Sequence, residues 1–424
     1  MREADEAVRP VLLLFVNPGP TSNAPFPSHR LHLLEGLRGY MAWWVVAFHF
    51  LGESGFSSAW LPGVGKMLTQ GGYAVDVFII LSGFVITHLL TTQNVSYRTF
   101  IQRRFFRLYP LFLICVLVGF VTFGPTSSLY EAFRERMHGA PQPAAMWQSH
   151  REHLGAHLLV SLTMFHGAVP NAWLPYAQSA FDPPGWSISL EWQFYLVLPL
   201  ILWGMMKRPG FTLAAILAVM GFRHRYNVGD WGSFLPQRAE FFAVGILSYY
   251  LYRTLTRIQN EAHRHVAWSK WLFVLLLILF SPLRELVLRP YEVQLGDWLP
   301  LALWAFVLAV LVETHAPTPS RFARRAEKIF LNPVAQFLGR VSYSTYLLHY
   351  FAIYAVMALC VASGIAMNKY VSLAAMTLIA APLTLVASAL SYRFIEKPGI
   401  ELGKHLFGKK KKETSSGGLL IWER

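Results

Sequence analysis

An all-α, polytopic integral membrane protein with about ten transmembrane helices and both termini cytoplasmic is the fold class this sequence predicts. Of its 424 residues 54% are hydrophobic and only 14% are charged, whereas soluble globular chains carry about a quarter charged residues. The apolar residues come in long runs with polar breaks, as in a chain that crosses a bilayer repeatedly. Disordered, collagen-like and disulfide-stapled classes are excluded by the same figures. A net charge of +14 would suit nucleic acid, but no basic-aromatic module accompanies it. Lys and Arg gathered on cytoplasmic segments account for the excess instead.

Residues 1–30 read as a cytoplasmic lead-in. Their apolar patch, Val11–Val16, is too short for a signal peptide and has an acidic flank. The membrane domain then runs over residues 31–398. Its predicted spans are Leu37–Leu51, Gly72–Leu90, Phe105–Phe123, Ile188–Met206 and Phe211–Phe222, then Phe234–Tyr252, Trp271–Pro282, Trp298–Val312, Val341–Val361 and Val371–Tyr392. Several, Phe211–Phe222 among them, fall short of the about 20 residues that cross hydrocarbon comfortably. Leu154–Phe165 reads as an amphipathic element within a long outside loop at 124–185, rich in Pro and Trp. Loops of that length are uncommon unless functional, so it is either a passive connector or a lid over an outward-facing site. Residues 399–424 form a basic cytoplasmic tail, suited to solvent or to anionic lipid. Cys115 and Cys360 sit within apolar runs and offer neither metal spacing nor a disulfide framework. No fixed-period repeat is visible.

Counting charges orients the chain. With ten spans and an inside N-terminus, inside segments hold 27 of the 37 Lys and Arg, and outside segments hold 10. An eleventh span would reverse everything after it.

Polar residues within apolar helices cost about 2.5–3.5 kcal/mol each at a helix centre and need a reason. Arg38 and His49 are eleven residues apart. That is close to three whole turns, so they share one face, roughly 16 Å apart along the axis. Arg38 then lies near the cytoplasmic surface and His49 deep toward the outside. Asp76 opens the second span, with the small pair Ser82-Gly83 following, and Glu191 opens the fourth, with Tyr195 one turn along. On this reading one His and two carboxylates converge on the outer half, fitting a base oriented by an acid. The structural alternative is a packing histidine and two acids favoured by helix N-termini. Arg104 and Arg107, three apart, begin the third span. They are either a positive-inside anchor or a phosphate clamp at a helix N-terminus. Ser342, Tyr346 and His349 share a face of the ninth span, suiting either a buried polar path or interhelical hydrogen bonds. Arg238 and Glu240 make a weaker pair. Nucleotide-cradling, zinc-protease and serine-hydrolase motifs are absent, and no metal is expected.

The ordered set Arg38-x10-His49, Asp76-Val-Phe-Ile-Ile-Leu-Ser-Gly83, Arg104-x-x-Arg107, Trp186-Ser-x-Ser-x-Glu191, Gly339-x-x-Ser342-Tyr343-Ser-x-Tyr346-Leu-Leu-His349 and Glu396-Lys-Pro398 resembles the membrane-bound acyltransferase-3 family, over about Leu31 to Pro398. The resemblance implies O-acylation of glycans and related acceptors. It implies His49 as the catalytic histidine, Arg38 as its paired arginine, Arg104 and Arg107 near the acyl-CoA head, and Glu191 as an essential acid. His349 matches a frequent family histidine. Trp192 stands where many relatives carry a second acid, and the SGNH-type extension of some relatives is not expected here.

The expected reaction moves an acyl group, most simply acetyl, from cytosolic acyl-CoA to a hydroxyl of a cell-surface or lipid-linked glycan. His49 is the expected base or acyl carrier, with Asp76 or Glu191 orienting it. Arg38, Arg104, Arg107, Tyr346 and His349 are the expected acyl-CoA contacts. Tyr195, Trp186, Ser187 and Arg238 are the expected acceptor contacts. The donor's arm is expected to thread from the arginine end past Tyr346 and His349 to His49. Membrane lipids but no nucleic acid are the expected partners, and a bacterial inner membrane the expected location. A transporter of a small polar or acylated solute is the alternative, although no inverted repeat shows.

Overall fold

The computed structural model describes residues 28–56, 64–93, 95–137, 144–225, 233–257, 299–314, 319–364 and 368–407. The lead-in to residue 27, the predicted span Trp271–Pro282 and the basic tail beyond residue 407 lie outside the described residues. All regular structure among the described residues is helical.

The membrane part begins with α1 (Ser28–Glu53), α2 (Gly71–Thr92) and α3 (Tyr97–Val121). A cap follows, made of α4 (Phe123–Arg136), α5 (Ala144–Glu152), α6 (Leu154–Leu162) and three short 3-10 turns. The chain returns through α7 (Trp186–Lys207), α8 (Pro209–Arg225), α9 (Ala239–Arg257) and α10 (Leu299–Glu313). It then runs along α11 (Arg321–Leu331) and α12 (Pro333–Arg340) into α13 (Ser342–Ser363) and the 39-residue α14 (Lys369–Phe407).

Among the described residues, five stretches are long and apolar enough to cross a membrane: Gly71–Thr92, Tyr97–Val121, Pro183–Lys207, Ser342–Ser363 and Lys369–Phe407. Each contains or overlaps a predicted span. The predicted spans at 211–222 and 298–312 fall on shorter apolar helices. The predicted span at 234–252 begins instead with a 3-10 turn, Leu235–Gln237. The loop expected at 124–185 is a correction to the sequence reading: most of it is folded helix, with Phe133, Trp147 and Met164 buried.

Local chemistry sets several boundaries. The Ser96 hydroxyl accepts the Thr99 N–H at 3.2 Å and starts α3. Asn332 Oδ1 accepts the Ala335 N–H at 2.9 Å, and Pro333 fills the first position of α12. Gly364, at φ 66°, ends α13 in the left-handed region that glycine tolerates.

Small residues set the closest crossing, as the Ser82-Gly83 pair suggests. A Cβ added to Gly245 of α9 would lie 2.0 Å from the Ile80 carbonyl oxygen of α2, and one on Gly83 would lie 2.5 Å from the Phe242 oxygen. Backbones this close exclude larger side chains and replace the hydrophobic drive that lipid cannot supply. Beside the crossing, Phe84 meets Tyr249, Tyr252 and Trp304 edge-on, and the Trp304 indole donates to Ser248 at 2.9 Å.

The cap is clamped to the membrane helices. Arg134 of α4 pairs with Glu53 at the end of α1 at 2.9 Å, and Arg136 donates to the Val361 carbonyl of α13 at 2.8 Å. It therefore sits at the C-terminal ends of α1 and α13, the end of α1 remote from Arg38.

Candidate active site

Because α1 is unbroken from Ser28 to Glu53, Arg38 and His49 keep the shared face that their spacing predicts. They serve two different neighbourhoods along it.

The first is an arginine pocket of about 820 Å³ of atom-free space, part of it open to solvent, lined by Arg38, Arg104, Arg107, Glu191, Tyr195 and Tyr346 among others. Arg104 lies over the Tyr195 ring, 5.5 Å from its centroid, and over Phe100 at 5.6 Å. The Tyr195 hydroxyl donates to Glu191 Oε1, and Ser82 donates to the same oxygen at 3.4 Å. Opposite them, Glu396 is buried in a π-helical turn of α14 (Tyr392–Glu396) and accepts from Ser344 at 3.0 Å. Among the described residues none of the three guanidiniums has a carboxylate within the 4.0 Å that defines an ion pair. The pocket thus offers cationic donors that no carboxylate of the described residues pairs with directly.

The second neighbourhood is His49 itself. Its Nδ1 lies 2.9 Å from the Tyr350 hydroxyl, which also lies 3.2 Å from Glu53 Oε1. Glu53 is held from its other oxygen by Arg134 at 2.9 Å and by the Tyr130 hydroxyl at 3.2 Å. A tyrosine hydroxyl has one hydrogen. It is donated to Glu53 Oε1, so the hydroxyl oxygen is left to accept from His49 Nδ1–H. The lone pair of His49 is thereby left on Nε2. The rings of His349 and Tyr350 sit 5.2 and 4.8 Å from the His49 ring. His349 is fully buried and its Nδ1 faces the Thr345 carbonyl at 3.3 Å, while Nε2 has no partner among the described residues.

Helix α13 joins the two neighbourhoods. Ser342, Tyr343 and Tyr346 line the arginine pocket, and His349 and Tyr350, one turn further, flank His49. The pocket lining ends at Tyr346, whose ring lies 6.2 Å from that of His349. Two rings therefore separate the pocket from His49, where the sequence reading expects a passage.

Four expectations need correction. Asp76 and Glu191 do not open their helices: each is the sixth residue of its helix, beyond the reach of the terminal dipole. They do not converge on His49 either. Asp76 pairs with Arg238 at 2.7 Å, and Glu191 faces into the arginine pocket. Arg104 and Arg107 lie two and three turns inside α3, which starts at Tyr97, so no free helix-terminal N–H groups assist them. Of the expected acceptor contacts, Tyr195 and Ser187 line the arginine pocket, Arg238 is tied to Asp76, and Trp186 packs on the core.

Sequence reasoning missed Glu53, Tyr350, Arg134 and Glu396. Glu53 follows His49 by four residues on one helix, so the i,i+4 rule was a usable signal. Tyr350 adjoins His349, and Glu396 opens the Glu396-Lys-Pro398 motif. Nothing near Arg134 in the sequence singles it out. His263 and His265 lie outside the described residues.

Several apolar spans surround a hydrogen-bonded imidazole and a cationic pocket, an arrangement that fits a multi-pass membrane protein. The family model described as an acyltransferase domain, of the acyltransferase-3 type, matches residues 31–393, and the chain belongs to that family. It is 26% identical over 390 residues to a Staphylococcus aureus (strain COL) protein provisionally named an O-acetyltransferase, covering 86% of this chain and 56% of the relative. It is 31% identical over 175 residues to the acyltransferase MdmB of Streptomyces mycarofaciens, 40% of this chain and 39% of that one. It is 25% identical over 418 residues to the O-acetyltransferase OatA of Staphylococcus aureus (strain MRSA252), 92% of this chain and 60% of that one. The chain spans about half the length of the first of these relatives. No solved structure matches it.

Proposed function

We propose that this chain transfers an acyl group, acetyl in the simplest case, from acyl-CoA to a hydroxyl of a cell-surface or lipid-linked glycan. The observation that carries the donor assignment is the set Arg38, Arg104 and Arg107 on one pocket with no ion-paired carboxylate. Guanidiniums in that state suit the phosphates of coenzyme A, for which Arg is the preferred partner. The positive-inside count supports a cytoplasmic mouth for this pocket and an outward cap, and the family's bacterial relatives support a bacterial inner membrane as the location.

In the reaction His49 Nε2 takes the proton of the acceptor hydroxyl as its oxygen attacks the thioester carbonyl. The C–O bond forms, the C–S bond breaks, and the proton passes from His49 to the departing thiolate. Tyr350 holds the productive tautomer, while Glu53 and Arg134 hold Tyr350. Rotation of both Tyr346 and His349 opens the way from pocket to imidazole. Glu191, with Tyr195 and Ser82, orders the arginines; it does not touch His49.

The test is acetyl transfer and acetyl-CoA binding by the purified chain in lipid nanodiscs. His49→Ala should abolish transfer and retain binding, whereas Arg104→Ala should weaken binding. Normal transfer by His49→Ala, or donor affinity indifferent to Arg104, refutes the assignment.

A further inference from the structure

Helix α11 packs on the arginine end of α1 through one narrow face. Its buried residues are Ala323, Ala326 and Phe330, at the i, i+3, i+7 spacing of a single stripe. A Cβ placed on Gly36 of α1 would lie 2.1 Å from the Phe330 carbonyl oxygen, and the Tyr40 hydroxyl donates to the Ile329 carbonyl at 2.7 Å. Gly36 and Tyr40 bracket Arg38, so α11 lies at the pocket's end of the bundle.

The remainder of α11 is exposed in distinct arcs. Phe322 and Ile329 are 67% and 55% exposed. Seven residues apart, they form a second apolar line roughly 80° around the helix from the buried stripe. Arg321, Arg325 and Lys328 are exposed as well. Their i, i+4, i+7 spacing sets them on one face beside that line, about 50–110° from it. Arg324 and Glu327, the only acid of the helix, point about 150° away from it. No carboxylate of the described residues lies within 4.0 Å of Arg321, Arg325 or Lys328. An apolar line with cations beside it and no acid suits a helix lying in a lipid–water interface. Long basic side chains there run their stems along hydrocarbon and reach the headgroups.

The depth of the apolar line follows from a neighbour. The Phe322 ring lies edge-on to Phe306 of α10, 6.2 Å between centroids. Phe306 is 38% exposed and sits seven residues before Glu313, where the apolar helix α10 ends. That is roughly 10 Å from the helix end. The exposed ring of Phe322 therefore lies beside the apolar flank of α10, where acyl chains and not water would cover it.

We infer that α11 is an interfacial helix that binds anionic phospholipid in the leaflet at the arginine end. Phe322 and Ile329 sit among the acyl chains, and Arg321, Arg325 and Lys328 hold the negatively charged headgroups, guanidinium being well matched to phosphate.

The test places the full chain in phosphatidylcholine nanodiscs. Phosphatidylglycerol or phosphatidylcholine carrying a diazirine on the acyl chain is added at equal fraction, and labelled peptic peptides are mapped. Peptides covering residues 321–331 should take up phosphatidylglycerol at least about three-fold more than phosphatidylcholine. The reference is α14 peptides containing Leu378, which is 74% exposed. Arg325→Gln with Lys328→Gln should bring the ratio to about one, whereas Arg324→Gln, on the far side of the helix, should leave it in place. Wild-type protein should lose the preference when ionic strength rises from about 0.1 to 1 M, which shortens the Debye length from about 10 to 3 Å. If the double variant fails to fold, the salt series and Arg325→Gln against Arg324→Gln decide. Equal labelling by the two lipids would mark an apolar seat without headgroup selection and overturns the inference. So does absence of labelling, which would place α11 in water, or an equal loss with Arg324→Gln.

Discussion

His49 and Tyr350, 301 residues apart in the chain, meet at 2.9 Å between Nδ1 and the phenolic oxygen. Glu53 lies 3.2 Å from the same oxygen and is fixed in turn by Arg134. The imidazole is thus oriented by a carboxyl group acting through a tyrosine, and the cap supplies the cation that pairs with that group.

Tyr350→Phe removes a single oxygen and leaves the ring packing in place. The tautomer of His49 is then unfixed, and kcat should fall about 10–100-fold, the usual cost of losing an orienting partner. The KM for acetyl-CoA should hold, because Tyr350 lies outside the arginine pocket. Steady-state kinetics with both substrates varied checks this, and a loss confined to KM would contradict it.

Arg134→Ala leaves the Glu53 carboxylate buried without its cation, since both side chains are only 10% exposed. Breaking such a pair from one side costs roughly 3–5 kcal/mol. The double variant Arg134→Gln with Glu53→Gln should recover part of that stability, because no net charge is stranded. Thermal unfolding in detergent, followed by tryptophan fluorescence, compares them.

Arg107→Lys keeps the charge and loses the planar fork, so donor affinity should drop about ten-fold. Wild-type protein should show a similar drop with 3′-dephospho-acetyl-CoA if this guanidinium contacts that phosphate, and the variant should then lose little more with the dephospho donor. Competition binding over the four combinations measures the coupling. Simple additivity of the two losses would place the 3′-phosphate elsewhere.

The cap should loosen in acid. Burial pushes the His166 imidazole from its ordinary 6.5 down to about 4. Its Nε2 meets the Gly185 carbonyl at 3.1 Å, while Nδ1 is buried without a partner among the described residues. The opened state binds a proton below about 6.5 and the folded state only near 4, so falling pH favours opening across that window. Hydrogen exchange over residues 154–185 should accelerate as pH falls from 6.5 to 4, after correction for intrinsic rates. His166→Gln, which cannot take up the proton, should flatten the dependence.

The membrane class and the α1 face were legible because composition and the spacing of Arg38 and His49 follow from helix geometry alone. The close packing of Gly83 was legible for the same reason. Helix starts were not: apolarity begins near Phe105, but α3 begins at the Ser96 cap, and those extra turns moved Arg104 and Arg107 away from a helix end. Likewise Asp76 and Glu191 looked alike as acids at apolar boundaries. Their partners, Arg238 and the arginine pocket, are set by which helices pack together, and a single sequence does not state that. The Glu53–Arg134 clamp depends on a folded cap, and the proline content of 124–185 disguised its helices.

Because α13 presents Tyr346, Tyr350 and Tyr354 at successive turns, it works as a ruler whose graduations are residues. Each residue added to it would swing everything downstream by about 100° and advance it by about 1.5 Å. Mutational drift can therefore replace one side chain along this helix at a time without disturbing the others. An insertion or deletion between Tyr346 and Tyr354 would instead turn the arginine pocket out of line with the cap, and no compensating change at its walls would bring the two back together.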